Sequence, residues 1–339
     1  MTLVEHLVRV PSVSGDEAAV ANLLVQQMQQ RGFKSHVDEA GNAVGRVGAG
    51  PLQVYLVGHL DTVPGALPVY VKDDLLFGRG SVDAKGSLAA FVEAAVGLKG
   101  SDALSLTVIG CVGEEADSRG AHHVLNTYPP ADYVIIGEPS GWDALTLGYK
   151  GSLSVEYFLK KPQTHRGAPV STPAEDAVAF YHALCAAYPQ RGYGFEAVSL
   201  NLIAFHTDND GVAETARMYL NVRTPPGFDH SAFEKTVKTA THDAQVEIND
   251  PIPAVLAGKQ NPLVRALLGG IRAQGARPRF KRKTGTSDMN LLQAWGCPML
   301  AYGPGDSSLD HTPNEHLSLA EYDQSIKVLT HALKNLEMV

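Results

Sequence analysis

Carboxylates and imidazoles cluster at spacings that could hold and use divalent metal in Gly58-His59-Leu60-Asp61-Thr62, in the glycine-rich segment 78–86 around Asp83, at Glu114-Glu115 and in Gly137-Glu138-Pro139. Imidazole nitrogen and carboxylate oxygen are the usual ligands of zinc, cobalt and manganese, and a pair of such ions needs one carboxylate shared between them. Taken singly, His59 reads as a core histidine with its hydrogen bonds met, and Glu114-Glu115 as a solvated loop. Their recurrence after successive apolar runs makes the joint pattern far more specific than any member of it.

These groups need a scaffold that brings them together. The segments 54–57, 104–112 and 133–136 are apolar runs of strand length, and each empties into one of the polar stretches. Strands that deliver ligand-type side chains at their carboxyl ends imply an open α/β fold, with a mixed, mostly parallel sheet and helices on both faces. Ser14 or Asp16 is expected to cap a helix carrying Val20, Leu23, Leu24 and Met28 on one face and ending near Gly32. Further helices are expected over 82–98 and 118–127.

From about Gly151 the pattern changes to half-exposed strands at 153–159, 196–205 and 212–223, with helices at 173–188 and 229–241. Beyond Pro253 it returns to helix 261–273, a basic strand 278–283, helix 287–295, strand 298–302 and helix 318–336. The expected organisation is a discontinuous catalytic domain, 1–150 with 257–339, and an inserted α+β domain at 151–256.

The 339-residue chain carries a net charge of −8, which argues against general nucleic-acid binding. Its three cysteines, Cys111, Cys185 and Cys297, are far apart and form neither a thiolate metal motif nor a disulfide framework. No apolar run approaches the roughly 20 residues that span a bilayer, and the first residues do not resemble a secretion signal. A cytoplasmic enzyme without membrane partners is therefore expected. Gly78-Arg79-Gly80 lacks the ending of a phosphate loop, and His6, His122, His123, His182, His206 and His230 have no partner pattern and read as structural.

The stretches 58–64, 78–86, 114–115, 137–139 and His311-Thr312-Pro313-Asn314-Glu315, in that order, resemble the co-catalytic di-zinc peptidases and deacylases, which include acetylornithine deacetylase, succinyl-diaminopimelate desuccinylase and glutamate carboxypeptidase. The resemblance implies two divalent ions per subunit, zinc first and cobalt or manganese as alternatives. It implies that Asp83 bridges them, with His59 and Glu138 completing one site and Glu115 and His311 the other. Asp61 would orient His59 through its second ring nitrogen, Glu114 would act as general base, and the Asp83–Ala84 peptide would be cis. The inserted domain would be a lid that also forms a homodimer. Its His165, in Thr164-His165-Arg166-Gly167, would reach the partner's active site and donate to the oxyanion, and Arg223 would clamp a substrate carboxylate.

Segment 277–283 holds five basic residues in an acidic chain and leads into Thr284-Gly285-Thr286-Ser287-Asp288, a candidate pocket loop in which Lys283, Thr286 and Ser287 would meet substrate. On a strand, Arg279, Lys281 and Lys283 share one face. The segments 83–86, 114–120 and 283–290 are most similar to the amino-group-carrier branch of the family. Its members release lysine, and some of them ornithine, from the γ-carboxyl of the terminal glutamate of a small acidic carrier protein in lysine and arginine biosynthesis. Arg279, Lys281 and Arg282 would then dock the carrier electrostatically. The alternatives are deacylation of free N-acetylornithine, N-acetyllysine or succinyl-diaminopimelate, and a catalytically silent carrier-binding module.

Overall fold

The computed structural model describes residues 1–189 and 194–338, which form two compact units. The first comprises Met1–Gly148, Ala257–Arg282 and Ser287–Val339, and the second Tyr149–Leu256 with Lys283–Thr286.

In the first unit the chain runs α1 (Leu3–Val8), α2 (Ala18–Gln30), β1 (Lys34–Val37), β2 (Ala43–Gly48), β3 (Leu52–His59), β4 (Tyr70–Lys72), β5 (Leu75–Phe77), α3 (Lys85–Val96), β6 (Leu104–Cys111), α4 (Arg119–Thr127), β7 (Tyr133–Gly137) and β8 (Ala144–Tyr149). The sheet order is β1-β2-β6-β3-β7, continuing through β15 (Met299–Ala301) to β8, with β14 (Arg279–Lys283) against β8. Its centre, β6-β3-β7-β15, is parallel, whereas β1-β2, β2-β6 and β15-β8 are antiparallel. The sheet is mixed, as expected from the apolar runs, but it is parallel only at its centre and antiparallel toward both edges. β3 and β6 are nearly continuous in buried residues because a central parallel strand is covered on both faces. Register then sets the chemistry: His59 pairs with Cys111 and Gly58 with Gly137, so three strands end level with one another.

Helix α3 is almost wholly buried, as its Ala-, Leu- and Val-rich sequence predicts, but it begins at Lys85 rather than at Val82. Residues 82–84 stay in the turn, and the Asp83–Ala84 peptide is cis. At the entry to α2 neither expected cap is used. Glu17 occupies the cap position without a side-chain bond to the helix N–H groups, and the Ser14 hydroxyl donates instead to Asp61 Oδ2 at 2.7 Å. Helix 287–295 resolves into α8 (Asp288–Leu292) and a 3-10 turn at Gln293–Trp295. Before it lies α7 (Pro262–Ala273), and after β15 come β16 (His316–Ser318) and α9 (Leu319–Leu336). β16, β5 and β4 form a small separate sheet.

The second unit is a four-stranded sheet, β10-β11-β9-β12, built from β9 (Gly151–Pro162), β10 (Ser199–Asn209), β11 (Ala213–Thr224) and β12 (Gln245–Ile252), all antiparallel. Helices α5 (Pro173–Ala187) and α6 (His230–Thr241) bury Phe180, Leu184, Phe233 and Val237 against Tyr157, Leu159 and Met218. A short strand, β13 (Val255–Leu256), ends the unit's main segment. Alternation along β11 gives the one-sided strand that its sequence predicts. Among the described residues no helix is long and apolar enough to cross a membrane.

The α3 entry buries a charge. The Lys85 ammonium is inaccessible and donates to the Val10 carbonyl at 2.8 Å. Burial pulls its pKa down to about 8, with Glu315 and Asp61 acting in the opposite direction. The unfolded chain, with an ordinary lysine, therefore binds the proton more tightly between about pH 8 and 10.5. Stability should rise through that window on this residue's account by up to about 1.4 kcal/mol per pH unit. Urea unfolding of metal-free protein at pH 8, 9 and 10 checks this: the slope should be shallower in Lys85→Met, and equal slopes would remove Lys85 as its source.

Candidate active site

Strand β3 carries His59 to the sheet's carboxyl end, where the ring is buried. Its Nε2 stands 3.2 Å from Asp83 Oδ1. The other oxygen of the same carboxylate, Oδ2, lies 3.1 Å from His311 Nε2, which is also 2.9 Å from Glu115 Oε1. One carboxylate thus faces two imidazoles with different oxygens, an arrangement open to a carboxylate shared by two ions. Ligand atoms of His59, Asp83 and Glu115 all lie within 4.8 Å of one another.

Glu114 and Glu115 follow β6 through Gly113, whose φ of 77° favours a residue without Cβ. The two glutamates are fixed by Asp61, whose Oδ1 accepts the Glu114 N–H and Oδ2 the Glu115 N–H, both at 3.0 Å. The second nitrogen of His59 does not use the Asp61 carboxylate as its hydrogen-bond partner. Nδ1 is 3.0 Å from the Asp61 carbonyl and 3.5 Å from the carboxylate. The buried Asp61 side chain is therefore chiefly a clamp on the glutamate loop. Burial raises its pKa, but the nearby His59 ring, the Ser14 hydroxyl and the Glu115 N–H prevail and hold it at about 2.

Glu138 is buried just beyond β7. Burial drives the Glu114 pKa well above the usual carboxylate range; His59 opposes that, and Glu138, Asp288 and Glu115 add to it. Burial also raises Glu115, with Asp83 adding to it. His311 moves to about 9 because Asp83 and Glu115 stabilise its charged form. Asp61, Asp83, Glu114, Glu115, Glu138 and Asp288 thus crowd around two imidazoles. Such an excess of enclosed negative charge, with imidazoles at its edge, fits divalent cations.

Asp288 lies in the expected pocket loop, but the sequence assigns it no role. It opens the short helix α8, is buried, has an oxygen without a hydrogen-bond partner, and burial lifts its pKa to about 7. Its neighbour Ser287 caps that helix, accepting the Met289 N–H at 3.3 Å, so its hydroxyl is already engaged in holding the loop.

Other expected site residues fall in the second unit. Arg223 Nη1 donates to Thr286 Oγ1 at 3.2 Å, and the Lys283 ammonium lies 5.8 Å from the centre of the Tyr149 ring. Lys150, unremarked in the sequence, is buried there and donates to Ser199 Oγ and the Gly194 carbonyl, each at 3.0 Å. His165 is exposed, and its Nδ1 accepts the Gly167 N–H at 3.1 Å, an arrangement that leaves the proton of the neutral ring on Nε2. On the basic strand, Arg279 forms a two-bond pair with Asp143 at 2.6 and 3.0 Å, so its charge is already answered within the first unit. The Lys281 charge acts on Asp306.

A parallel-centred sheet that gathers imidazoles and carboxylates at its carboxyl edge, around one aspartate facing two histidines, defines an α/β metallohydrolase. The chain belongs to peptidase family M20/M25/M40, whose profile matches residues 55–335. It is 45% identical to the [LysW]-lysine hydrolase of Deinococcus radiodurans over 98% of this chain and 96% of that protein. Its fold is similar to that of aminopeptidase PepT from Bacillus cereus, with a TM-score of 0.82 at 20% identity, covering 98% of this chain and 96% of that one. The metallo-carboxypeptidase Sso-CP2 from Sulfolobus solfataricus gives the same TM-score at 18% identity, covering 99% and 98%.

Proposed function

We propose that the protein hydrolyses the amide joining lysine, and secondarily ornithine, to the terminal glutamate of the acidic carrier LysW, in lysine and arginine biosynthesis in the cytoplasm. The observation that carries this reading is the 45% identity with the Deinococcus radiodurans enzyme across nearly the full length of both chains. In this reading two zinc ions are held by His59, Asp83, Glu115, Glu138 and His311, with cobalt or manganese as substitutes. When bound, they supply Lewis-acid polarisation of the amide carbonyl and acidify water.

The chain's own residues do the rest. Glu114 takes the proton from the attacking water and returns it to the departing amine of lysine. Asp61 keeps that glutamate in place through its N–H. His165 reaches the partner subunit's active site and donates from Nε2 to the oxyanion developing there, and Arg223 pairs with the free carboxylate of the substrate. Homodimer formation is part of the same reading, supported by β10, an edge strand with Leu202, Ile203 and Phe205 exposed.

Carrier docking in this reading falls to Arg279, Lys281 and Arg282 on the basic strand. Amine release from a LysW γ-glutamyl-lysine conjugate, compared with N-acetyllysine and N-acetylornithine at equal concentration, tests the substrate directly. Preference for the conjugate supports the reading, whereas preference for a free acyl amino acid replaces it with a deacylase, and no release from any of them would leave a silent binding module. Neutralising Lys281 and Arg282 together should raise KM for the conjugate about tenfold or more and leave KM for N-acetyllysine within twofold. Equal losses on both substrates would end the docking role.

A further inference from the structure

The segment that supplies His311 also holds the backbone of Asp83. Glu315, four residues on, has a side chain only 1% exposed. Its Oε1 accepts the N–H groups of Val82 at 3.0 Å and Asp83 at 3.2 Å, and its Oε2 accepts Arg79 Nη1 at 2.7 Å. Arg79 reaches further, with Nη1 also donating to the Thr312 carbonyl at 3.3 Å and Nε to the Gly65 carbonyl at 3.2 Å. One guanidinium therefore ties the loop after His59 and Asp61 to the loop that bears His311.

The small sheet explains why these partners meet. β16 pairs with β5 in the register His316 to Phe77, and the Gly78 N–H donates to the Glu315 carbonyl at 3.2 Å, so the loops leaving both strands run side by side. A buried ion pair is a costly way to join two loops, since well-packed apolar side chains of similar size often stabilise at least as well. What the pair supplies is direction: the backbone N–H groups of Val82 and Asp83 can be held by an acceptor, not by a methyl group.

We propose that Glu315 and Arg79 are positioning residues that fix the separation of Asp83 from His311 and thereby set cation affinity at the shared carboxylate. This rests on the metal-centre reading above. Neither residue belongs to the candidate metal ligands, and both act through the backbone of Asp83 and the loop bearing His311. The carboxylate of Asp83 can face both imidazoles only while its backbone is held at the height that Glu315 dictates.

The test compares wild type with Glu315→Ala, Glu315→Gln and Arg79→Met. Cobalt affinity is measured by chelator competition, the visible spectrum of the cobalt-loaded protein is recorded, and the melting temperature of each metal-free protein is taken. Glu315→Ala should weaken cobalt binding about ten- to a hundredfold and alter the spectrum, with kcat reduced and KM for the conjugate within twofold. Glu315→Gln keeps an acceptor for the two N–H groups but frees Arg79, so it and Arg79→Met should each lose about tenfold or less, with partial spectral change. If Glu315→Ala does not fold, those two variants decide. Wild-type affinity and spectrum in both, with only a lower melting temperature, would make the pair a structural tie and overturn the proposal. Failure of wild type itself to bind cobalt would instead overturn the metal-centre reading.

Discussion

Glu114→Gln should lower kcat for the conjugate by about a thousandfold or more while metal content and KM stay close to wild type. The substitution keeps the shape of the side chain and removes its ability to carry a proton. Its backbone is held by Asp61 whichever side chain is present, and His59, Asp83 and Glu115, the cluster with metal-ligand spacing, are untouched. The surroundings suit a proton carrier. Burial and the charges of Glu138, Asp288 and Glu115 make the carboxylic acid form easy to reach, and positive charge entering the cluster would draw the pKa back down. Single-turnover rates with the conjugate, alongside metal analysis of the same preparation, make the comparison. A kcat within tenfold of wild type would take Glu114 out of this role, and loss of metal together with rate would make it a ligand.

Cation affinity should fall about tenfold for each pH unit below about 9, or about a hundredfold between pH 8 and pH 6. The cause is His311. The bond to Asp83 and the charges of Asp83 and Glu115 hold its pKa at about 9, so in metal-free protein the ring is protonated at neutral pH and must lose that proton to become a ligand. The effect on folding runs the other way. In metal-free protein the folded pKa lies above the ordinary 6.5, so the stabilisation from these ion pairs is fully present below 6.5 and is lost as pH rises through about 9. Chelator competition at pH 6, 7 and 8, with proton release counted on binding, measures the first effect. Flat affinity over that range would mean that His311 is not displaced from its acidic partners by metal.

The sequence alone made the architecture of the first unit legible, because central parallel strands and the helix behind them advertise themselves as unbroken apolar runs. β3, β6 and β7 stand where 54–57, 104–112 and 133–136 placed them. The weaker strands were missed. β1, β4, β5 and β16 are three or four residues long and mostly exposed or half-buried, so they carry no periodicity to read, and β2 and β8, though six residues long and largely buried, were missed as well. Polar residues with more than one use were also ambiguous: Ser14 is as good a helix cap by type as it is a partner for Asp61, and only the fold brings the latter within 2.7 Å.

The sequence by itself made the order of the candidate imidazoles and carboxylates legible: His59, Glu114-Glu115 and Glu138 each come after an apolar strand, whereas Asp83 and His311 are singled out by the resemblance to the family. It also determined the family, through motifs spread from residue 58 to residue 315. Only the tertiary structure decided which atoms face which. That Asp83 offers one oxygen to each histidine, that Asp61 clamps the glutamate loop, and that Glu315 reaches back to the Asp83 N–H are contacts between segments separated by as many as 232 residues. Strand register and loop conformation set such distances, and both depend on packing over the whole unit, which no local pattern records.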